Sequence, residues 1–164
     1  MKICLARIDD RLIHGQVTTA WTKRIDIDRI IVVSDESAFD NLAKFLLQQA
    51  APLGIYANVI TVNKMLEVMN NVLFDKERVM LLFTNPQDVE TLVRAGLQLQ
   101  SLNIGGMRFE SGKRMVTNFV SVDEADIAAF HFLHDECNIE LDVRKVPADR
   151  KSNLMDLLDK KEKR

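Results

Sequence analysis

The sequence predicts an α/β fold with an open, mainly parallel sheet of about six to seven strands and helices on both faces. Strand-like and helix-like segments alternate about six times along the chain, which is typical of this class. Residues 79–83 are apolar at every position, as expected of a strand that is buried on both faces. No linker, repeat or low-complexity segment interrupts the pattern, so residues 1–164 are predicted to form a single domain.

The first half of the chain predicts three strands, at residues 3–6, 29–34 and 55–62. Apolar side chains at helical spacing predict a helix between the first two strands: Val17, Ala20, Trp21 and Ile25. A second helix is expected from about residue 35 to residue 51, with Asp35 or Ser37 as its cap and Pro52 and Gly54 at its end. Its predicted apolar face consists of Phe39, Leu42, Ala43, Leu46, Leu47 and Ala50.

The second half predicts strands at residues 79–83, 102–104 and 115–122, and an edge or half-exposed strand at 139–143. Helices are expected to begin near Asn63, at Pro86 and at Asp123, because these residue types favour helix starts. The tail from residue 152 carries three leucines before a charged run: Leu154, Leu157 and Leu158.

Composition excludes several classes of function. The net charge of −2 and the pI near 5.9 argue against binding to nucleic acid. No apolar run approaches the roughly 18 residues of a membrane span, and the N-terminus does not resemble a signal peptide, so a cytoplasmic location is expected. Cys4 and Cys137 are too few for a disulfide framework. Because neither a Gly-x-Gly-x-x-Gly motif nor a Walker motif occurs, no cofactor is predicted.

The most informative stretch lies between the first strand and the first helix. Five ionisable side chains occur there within eight residues: Arg7, Asp9, Asp10, Arg11 and His14. In an open parallel sheet such a loop lies at the carboxyl ends of the strands, where ligands bind. Arginines and helix N-termini both attract anions. A histidine among them could accept, hold or transfer a phosphoryl group.

Two further sequence patterns could belong to a functional site. Gly105 and Gly106 follow the fifth predicted strand, where they could let the backbone approach a ligand or simply form a tight turn, and Arg108 could reach the same pocket. His131 and His134 have a spacing that can bind zinc, but no second cluster completes a site, so packing is the better interpretation and no metal is predicted.

The stretch from Asp9 to Val17 closely resembles the active-site loop of the IIB subunits of the mannose/fructose/sorbose class of the bacterial sugar phosphotransferase system (PTS). The resemblance covers nearly the whole chain. It extends, in order and spacing, to residues 29–33, 81–88, 103–107 and 120–123.

This resemblance implies an activity, partners and site residues. The histidine at His14 would take a phosphoryl group from a phosphohistidine of a IIA protein or domain, and pass it to a sugar carried by the membrane subunits IIC and IID. The implied enzyme is a protein-N(pi)-phosphohistidine–sugar phosphotransferase, held at the membrane through its partners, with a separate polypeptide or domain as donor. Arg11 would steady the phosphoryl group. The residues themselves, independently of the resemblance, predict further phosphate-binding positions at Arg7, Asp10, Gly15, Gln16 and Gly106.

Several points stay open at the level of sequence. Either Asp9 or Asp10 could orient the imidazole, and neither the sugar nor self-association can be deduced. The apolar residues Leu12 and Ile13, in a loop otherwise full of charge, suggest a docking interface for IIA. A phosphohistidine-using phosphatase is disfavoured because Ile13 rather than arginine precedes the histidine. A sugar-responsive binding module that has lost transfer chemistry is the remaining alternative.

Overall fold

The computed structural model describes residues 1–162, without the side chains of residues 16, 17, 161 and 162. Its strands are β1 (Lys2–Asp9), β2 (Arg29–Val33), β3 (Tyr56–Ile60), β4 (Arg78–Phe83), β5 (Ser101–Gly106), β6 (Arg114–Met115), β7 (Ser121–Val122) and β8 (Glu140–Val143). Its α-helices are α1 (Gly15–Arg24), α2 (Asp35–Phe39), α3 (Asn41–Gln49), α4 (Val62–Val68), α5 (Pro86–Arg94), α6 (Glu124–His131) and α7 (Leu154–Glu162). A 3₁₀ turn spans Val72–Phe74, and a π turn at Phe132–Glu136 extends α6.

Six strands form one parallel sheet in the order β3-β2-β4-β1-β5-β8, with helices around it, which confirms the predicted fold class. The single strand predicted at 115–122 is wrong. The chain turns back within that segment, where the amides of Val116 and Thr117 both donate to the carbonyl of Val120. The two flanking strands, β6 and β7, therefore form a separate antiparallel pair.

The period of two along the strands divides the interior into two cores, one on each face of the sheet. In β4, Val79, Leu81 and Phe83 belong to one core, and Met80 and Leu82 belong to the other. This division explains why the strand is apolar throughout. The first core also contains Met65, Leu92, Phe130 and Leu154 from α4, α5, α6 and α7; the second contains Trp21 from α1 and packs against Leu47 from α3.

The helix predicted at 35–51 is in fact two helices with a break at Asp40. Ser34, rather than Asp35 or Ser37, caps α2 through its hydroxyl. The Asp40 carboxylate accepts hydrogen bonds from the amides of Leu42 and Ala43 and so starts a new helix. At α4, Thr61 replaces the predicted Asn63 as the cap.

The orientation predicted for this helical segment is also wrong. Phe39, Leu42 and Leu46, three members of the predicted apolar face, are more than half exposed, and no residue of α3 is fully buried. The starts of α5 and α6 are confirmed, with Pro86 in the first turn and a capping box between Asp123 and Asp126. Within residues 1–162, no helix has the length and apolar character needed to cross a membrane.

Candidate active site

The candidate site lies at the carboxyl edge of the sheet, in the loop between β1 and α1. β1 is longer than predicted and already includes Arg7 and Asp9. The loop is tight, because the Leu12 amide donates to the Asp9 carbonyl at 2.9 Å and Leu12 adopts a left-handed φ of 60°. His14 occupies the N-cap position of α1, as predicted, and its backbone amide donates to the Thr18 hydroxyl at 3.2 Å.

Leu12 and Ile13 anchor this loop in the protein core and do not form a surface for a partner. Both side chains are at most 5% exposed and belong to the core that contains Trp21. The expectation that they form a docking interface is therefore wrong. Charged neighbours made them look surface-exposed, but the turn at Leu12 directs them inward and leaves the polar residues at the rim.

A fully buried carboxylate, that of Asp9, is at the centre of the site. It accepts a hydrogen bond from Arg7 Nη2 at 2.8 Å. It also accepts three bonds from Arg11, through the backbone amide, Nε and Nη2, each at 3.1 Å. Two cations therefore compensate one buried anion, and the surplus positive charge lies on Arg11, whose side chain is 46% exposed.

Arg7 is buried beneath the site. Its guanidinium donates to Asp9, to the side chain of Asn103 and to the Arg144 carbonyl, and it lies 5.4 Å from the centre of the Trp21 ring. Burial lowers the pKa of Arg7 from its usual value, and the Asp9 carboxylate opposes this effect.

Gly105 and Gly106 make room for these buried side chains. Both belong to β5, and neither has a positive φ. The tight turn and the positive φ that the sequence suggested for them are therefore absent at these two residues. A Cβ on Gly105 would overlap the Arg7 guanidinium. A Cβ on Gly106 would lie 3.0 Å from Asp9 Oδ1 and 3.5 Å from Arg11 Nη2. The glycines therefore determine where the charges of the site lie.

Gly105→Ala is accordingly expected to destabilise the fold by about 2–3 kcal/mol, because the buried guanidinium has no space into which it can retreat. Urea unfolding measures the change. Ser101→Ala, on the exposed start of the same strand, is the matched control and should change stability by less than about 0.5 kcal/mol. Equal stabilities for Gly105→Ala and the control would contradict this packing argument.

The His14 ring has two distinct nitrogens. Nδ1 lies 2.8 Å from the Leu12 carbonyl oxygen, so Nδ1 carries the proton in this geometry, because a carbonyl can only accept. Nε2 is buried, makes no hydrogen bond and lies 3.9 Å from Asp9 Oδ2. Asp9, and not Asp10, is therefore the carboxylate that faces the imidazole. The side chain as a whole is 25% exposed.

The other predicted site residues surround this centre. The Asp10 carboxylate accepts from the backbone amide of Arg108 at 2.7 Å, which ties the loop to the segment after β5. The Arg108 side chain is largely exposed, beside Asp10 and Glu110. Gly15 has a φ of 38° at the start of α1, and the backbone of Gln16 follows it in the first turn.

A second layer of residues escaped the sequence analysis. The side-chain amide of Asn103 donates to the carbonyls of Asp142 and Arg144, and the Trp21 indole donates to the Lys145 carbonyl at 2.9 Å. These contacts connect the end of β8 to Arg7. Asn103 lies in an apolar strand, and that buried polar residue is the one signal in the sequence that could have indicated such a network.

The histidine pair on α6 is separate from the site. His131 Nδ1 and His134 Nδ1 lie 2.9 and 2.8 Å from the two oxygens of the Asp135 carboxylate, all on the surface. Across residues 1–162, no group of three or more histidine, cysteine or acidic side chains is arranged to hold a metal ion.

Comparisons with known proteins agree with this geometry. Residues 3–164 match the family model of the PTS system sorbose subfamily IIB component. The chain is 58% identical over 163 residues to the mannose-specific EIIAB component of Escherichia coli K12, covering 99% of this chain and 50% of that relative. It is 48% identical over 159 residues to the sorbose-specific EIIB component of Lacticaseibacillus casei, covering 97% and 96%. The chain thus spans about half the length of its mannose-specific relatives.

A solved structure of a IIB domain has the same fold. The IIBSor domain of the sorbose permease from Klebsiella pneumoniae superposes with a TM-score of 0.95 at 47% identity, covering 98% of both chains. The fold and the sequence define a IIB component of the sugar phosphotransferase system. Within that class, the chain belongs to the sorbose subfamily of IIB components.

Proposed function

We propose that this chain is a phosphocarrier: His14 accepts a phosphoryl group from a phosphorylated IIA protein or domain and passes it to a sugar. The observation that carries the proposal is the partly exposed imidazole of His14 beside the buried Asp9 carboxylate and the exposed, positively charged Arg11. Phosphoryl transfer depends mainly on positioning and on stabilising charge. Both are present in this loop, and the relatives named as EIIB components support the same activity.

Nδ1 is the nitrogen that we assign as the acceptor, in agreement with the N(pi) chemistry expected from the sequence. Nε2 is buried against Asp9, so a phosphoryl group there would meet both steric hindrance and a negative carboxylate. Attack by Nδ1 requires the tautomer that carries its proton on Nε2, and the contact of Nδ1 with the Leu12 carbonyl must open. The Nδ1 lone pair then forms the new N–P bond while the N–P bond of the donor breaks. Asp9 stabilises the Nε2 proton.

The remaining residues take separate roles in this proposal. Arg11 contacts the phosphoryl oxygens, because Nη1 makes no hydrogen bond within the part of the chain whose side chains are described and the side chain is half-exposed. The amides of Gly15 and Gln16 supply the positive end of α1. Arg7 positions Asp9 instead of touching phosphate, since it is 2% exposed and fully engaged. Asp10 likewise holds the Arg108 amide, and Gly106 provides space.

Partners and location follow from the same proposal. The relative named EIIAB supports a IIA domain as the donor, in the same or another polypeptide. The acceptor is a sugar bound by the membrane subunits IIC and IID, which would hold this chain at the cytoplasmic side of the membrane. The relatives are named for mannose and for sorbose, so the substrate class is a hexose and its identity is set elsewhere.

Incubation with phosphoenolpyruvate, the general PTS proteins and a matching IIA tests this function. We expect one phosphoryl group per chain, labile to acid, as an N–P bond is. In ¹⁵N-histidine-labelled protein, NMR should place the phosphoryl group on Nδ1 of His14. A phosphoryl group on Nε2 would contradict the assignment of the nitrogen but keep the function. An unlabelled chain, or one that steadily hydrolyses a phosphate ester, would contradict the function itself.

A further inference from the structure

One edge of the sheet carries an apolar surface that faces away from both cores. It consists of six large side chains from α2, α3, the segment leading into β3 and β3 itself, each more than half exposed: Phe39, Leu42, Phe45, Leu46, Leu53 and Tyr56. We call these six residues the apolar edge surface. Leu42, Phe45 and Leu46 recur at helical spacing within α3, which packs directly on β3, and Phe39 ends α2 just before the break at Asp40. Tyr56 lies on the other face of β3, beside Arg29, so the six residues flank the β3 edge of the sheet.

The chain segment that carries this surface is poor in the charge that normally keeps an exposed helix in water, and Arg29, 5.2 Å from the centre of the Tyr56 ring, is paired with Glu77. Residues 39–60 contain two charged side chains, Asp40 and Lys44, whereas 28% of the whole chain is charged. These two charges cancel, so a second copy of the same surface would meet no repulsion. Helices that lie on a lipid surface usually carry several lysines and arginines on their polar face, and α3 has Lys44 alone.

The strand beside this surface is an open edge. Within residues 1–162, β3 pairs only with β2, in a regular register without a bulge, and it contains neither a charged residue nor proline. Proteins usually protect such edges with one of these devices. The opposite edge of the same sheet is protected: the Val143 amide of β8 donates to the Ser152 carbonyl at 2.8 Å, and Asp142 bridges to Asn153.

The size of the apolar edge surface matches what a stable complex requires. Its six side chains expose on the order of 800 Å², close to the share of one partner in a standard interface. An isologous contact needs a surface that fits a copy of itself, and a neutral apolar surface beside an unpaired strand meets that condition.

We propose that two copies of this chain associate through the apolar edge surface, with the β3 strands antiparallel across a twofold axis. The two six-stranded sheets would then continue into one, and the α3 helices would pack on each other across the axis. The site at His14 lies beyond β2 and β4 in the sheet order, so each copy keeps its catalytic loop accessible to a phosphoryl donor.

Sedimentation equilibrium over about 1 to 100 μM protein tests this assembly. We expect a dimer, and at least a roughly 100-fold weaker association in the double variant Leu42→Glu, Phe45→Glu, which places four carboxylates at the axis. The matched control is Val72→Glu, Leu73→Glu, two equally exposed apolar residues on the 3₁₀ turn, which should associate like the wild type.

Hydrogen exchange of the unmodified protein provides an independent measurement, should the double variant fold poorly. Amides of residues 56–60 are expected to exchange more slowly as the protein concentration rises. A wild-type protein that stays monomeric over this range would overturn the proposal. The proposal would also be overturned if both double variants formed a dimer equally well. Binding of a monomer to phosphatidylglycerol vesicles, lost in Leu42→Glu, Phe45→Glu, would overturn it in favour of a lipid surface.

Discussion

His14→Ala is expected to abolish phosphoryl uptake from phospho-IIA completely, while the protein folds as before. Uptake needs a nucleophilic nitrogen, and alanine supplies none. The fold should persist because the His14 side chain caps nothing: α1 begins without a side-chain hydrogen bond from this residue. Among the described residues, the polar contacts of the imidazole are with the Leu12 carbonyl and Asp9, and the loop is fastened separately by buried Leu12 and Ile13.

Stoichiometric labelling with ³²P-phosphoenolpyruvate measures this effect, with urea unfolding to confirm that the variant is folded. His131→Ala and His134→Ala are the controls, since both histidines lie on the surface and each places its Nδ1 next to the Asp135 carboxylate. Each should label like the wild type. Acid-labile phosphoryl groups on His14→Ala, or loss of label in either control, would show that the acceptor lies outside the loop between β1 and α1.

The sheet could be predicted from sequence because its signal is local. In β4, five consecutive apolar residues alternate between two cores, and burial on both sides leaves no polar position. The helix starts at Pro86 and Asp123 are equally local, because the side chains of Asn85, directly before Pro86, and of Asp123 accept hydrogen bonds from amides within one helical turn. Such features survive any rearrangement of the rest of the fold, which is why they were predicted correctly.

The errors concern features that depend on distant parts of the chain. The six apolar positions between residues 39 and 50 indicate a helix, but only the position of α3 at the edge of the sheet decides how many of them are covered. Leu12 and Ile13 resemble surface residues until the left-handed turn at Leu12 directs them inward. Gly105 needs its lack of a Cβ because Arg7, 98 residues earlier, lies across it.

The same long-range packing explains why two arginines that look equivalent in sequence differ in the site. Arg7 points into the protein, where Asp9, Asn103 and Arg144 use its donors. Arg11 wraps the other side of Asp9 and remains half-exposed beside His14. Asp9 therefore fixes Arg11 in place, and in the transfer that we propose this would reduce the reorganisation required when phosphate binds.

Arg11→Ala is expected to slow phosphoryl transfer by roughly 10²–10³-fold in both directions, the usual effect of removing one preorganised stabiliser. Arg11→Lys should be intermediate, because lysine keeps the charge but loses the planar fork that grips two oxygens. Neither change should disturb folding strongly, because Arg7 continues to compensate the buried Asp9. Rapid-quench measurement of label moving from phospho-IIA to this chain gives the rates.

The dependence of rate on IIA concentration separates transfer from docking. If Arg11 acts on the phosphoryl group, the maximal rate falls while the IIA concentration at half-maximal rate changes little. If Arg11 only attracts IIA, high IIA concentration restores the wild-type rate in Arg11→Ala. Arg108→Ala is the matched control: this arginine also contacts an acidic residue at the same edge, but it is more exposed and contacts Asp10 instead of Asp9. Wild-type transfer in Arg11→Ala together with slow transfer in Arg108→Ala would move the phosphoryl pocket from the end of β1 to the end of β5.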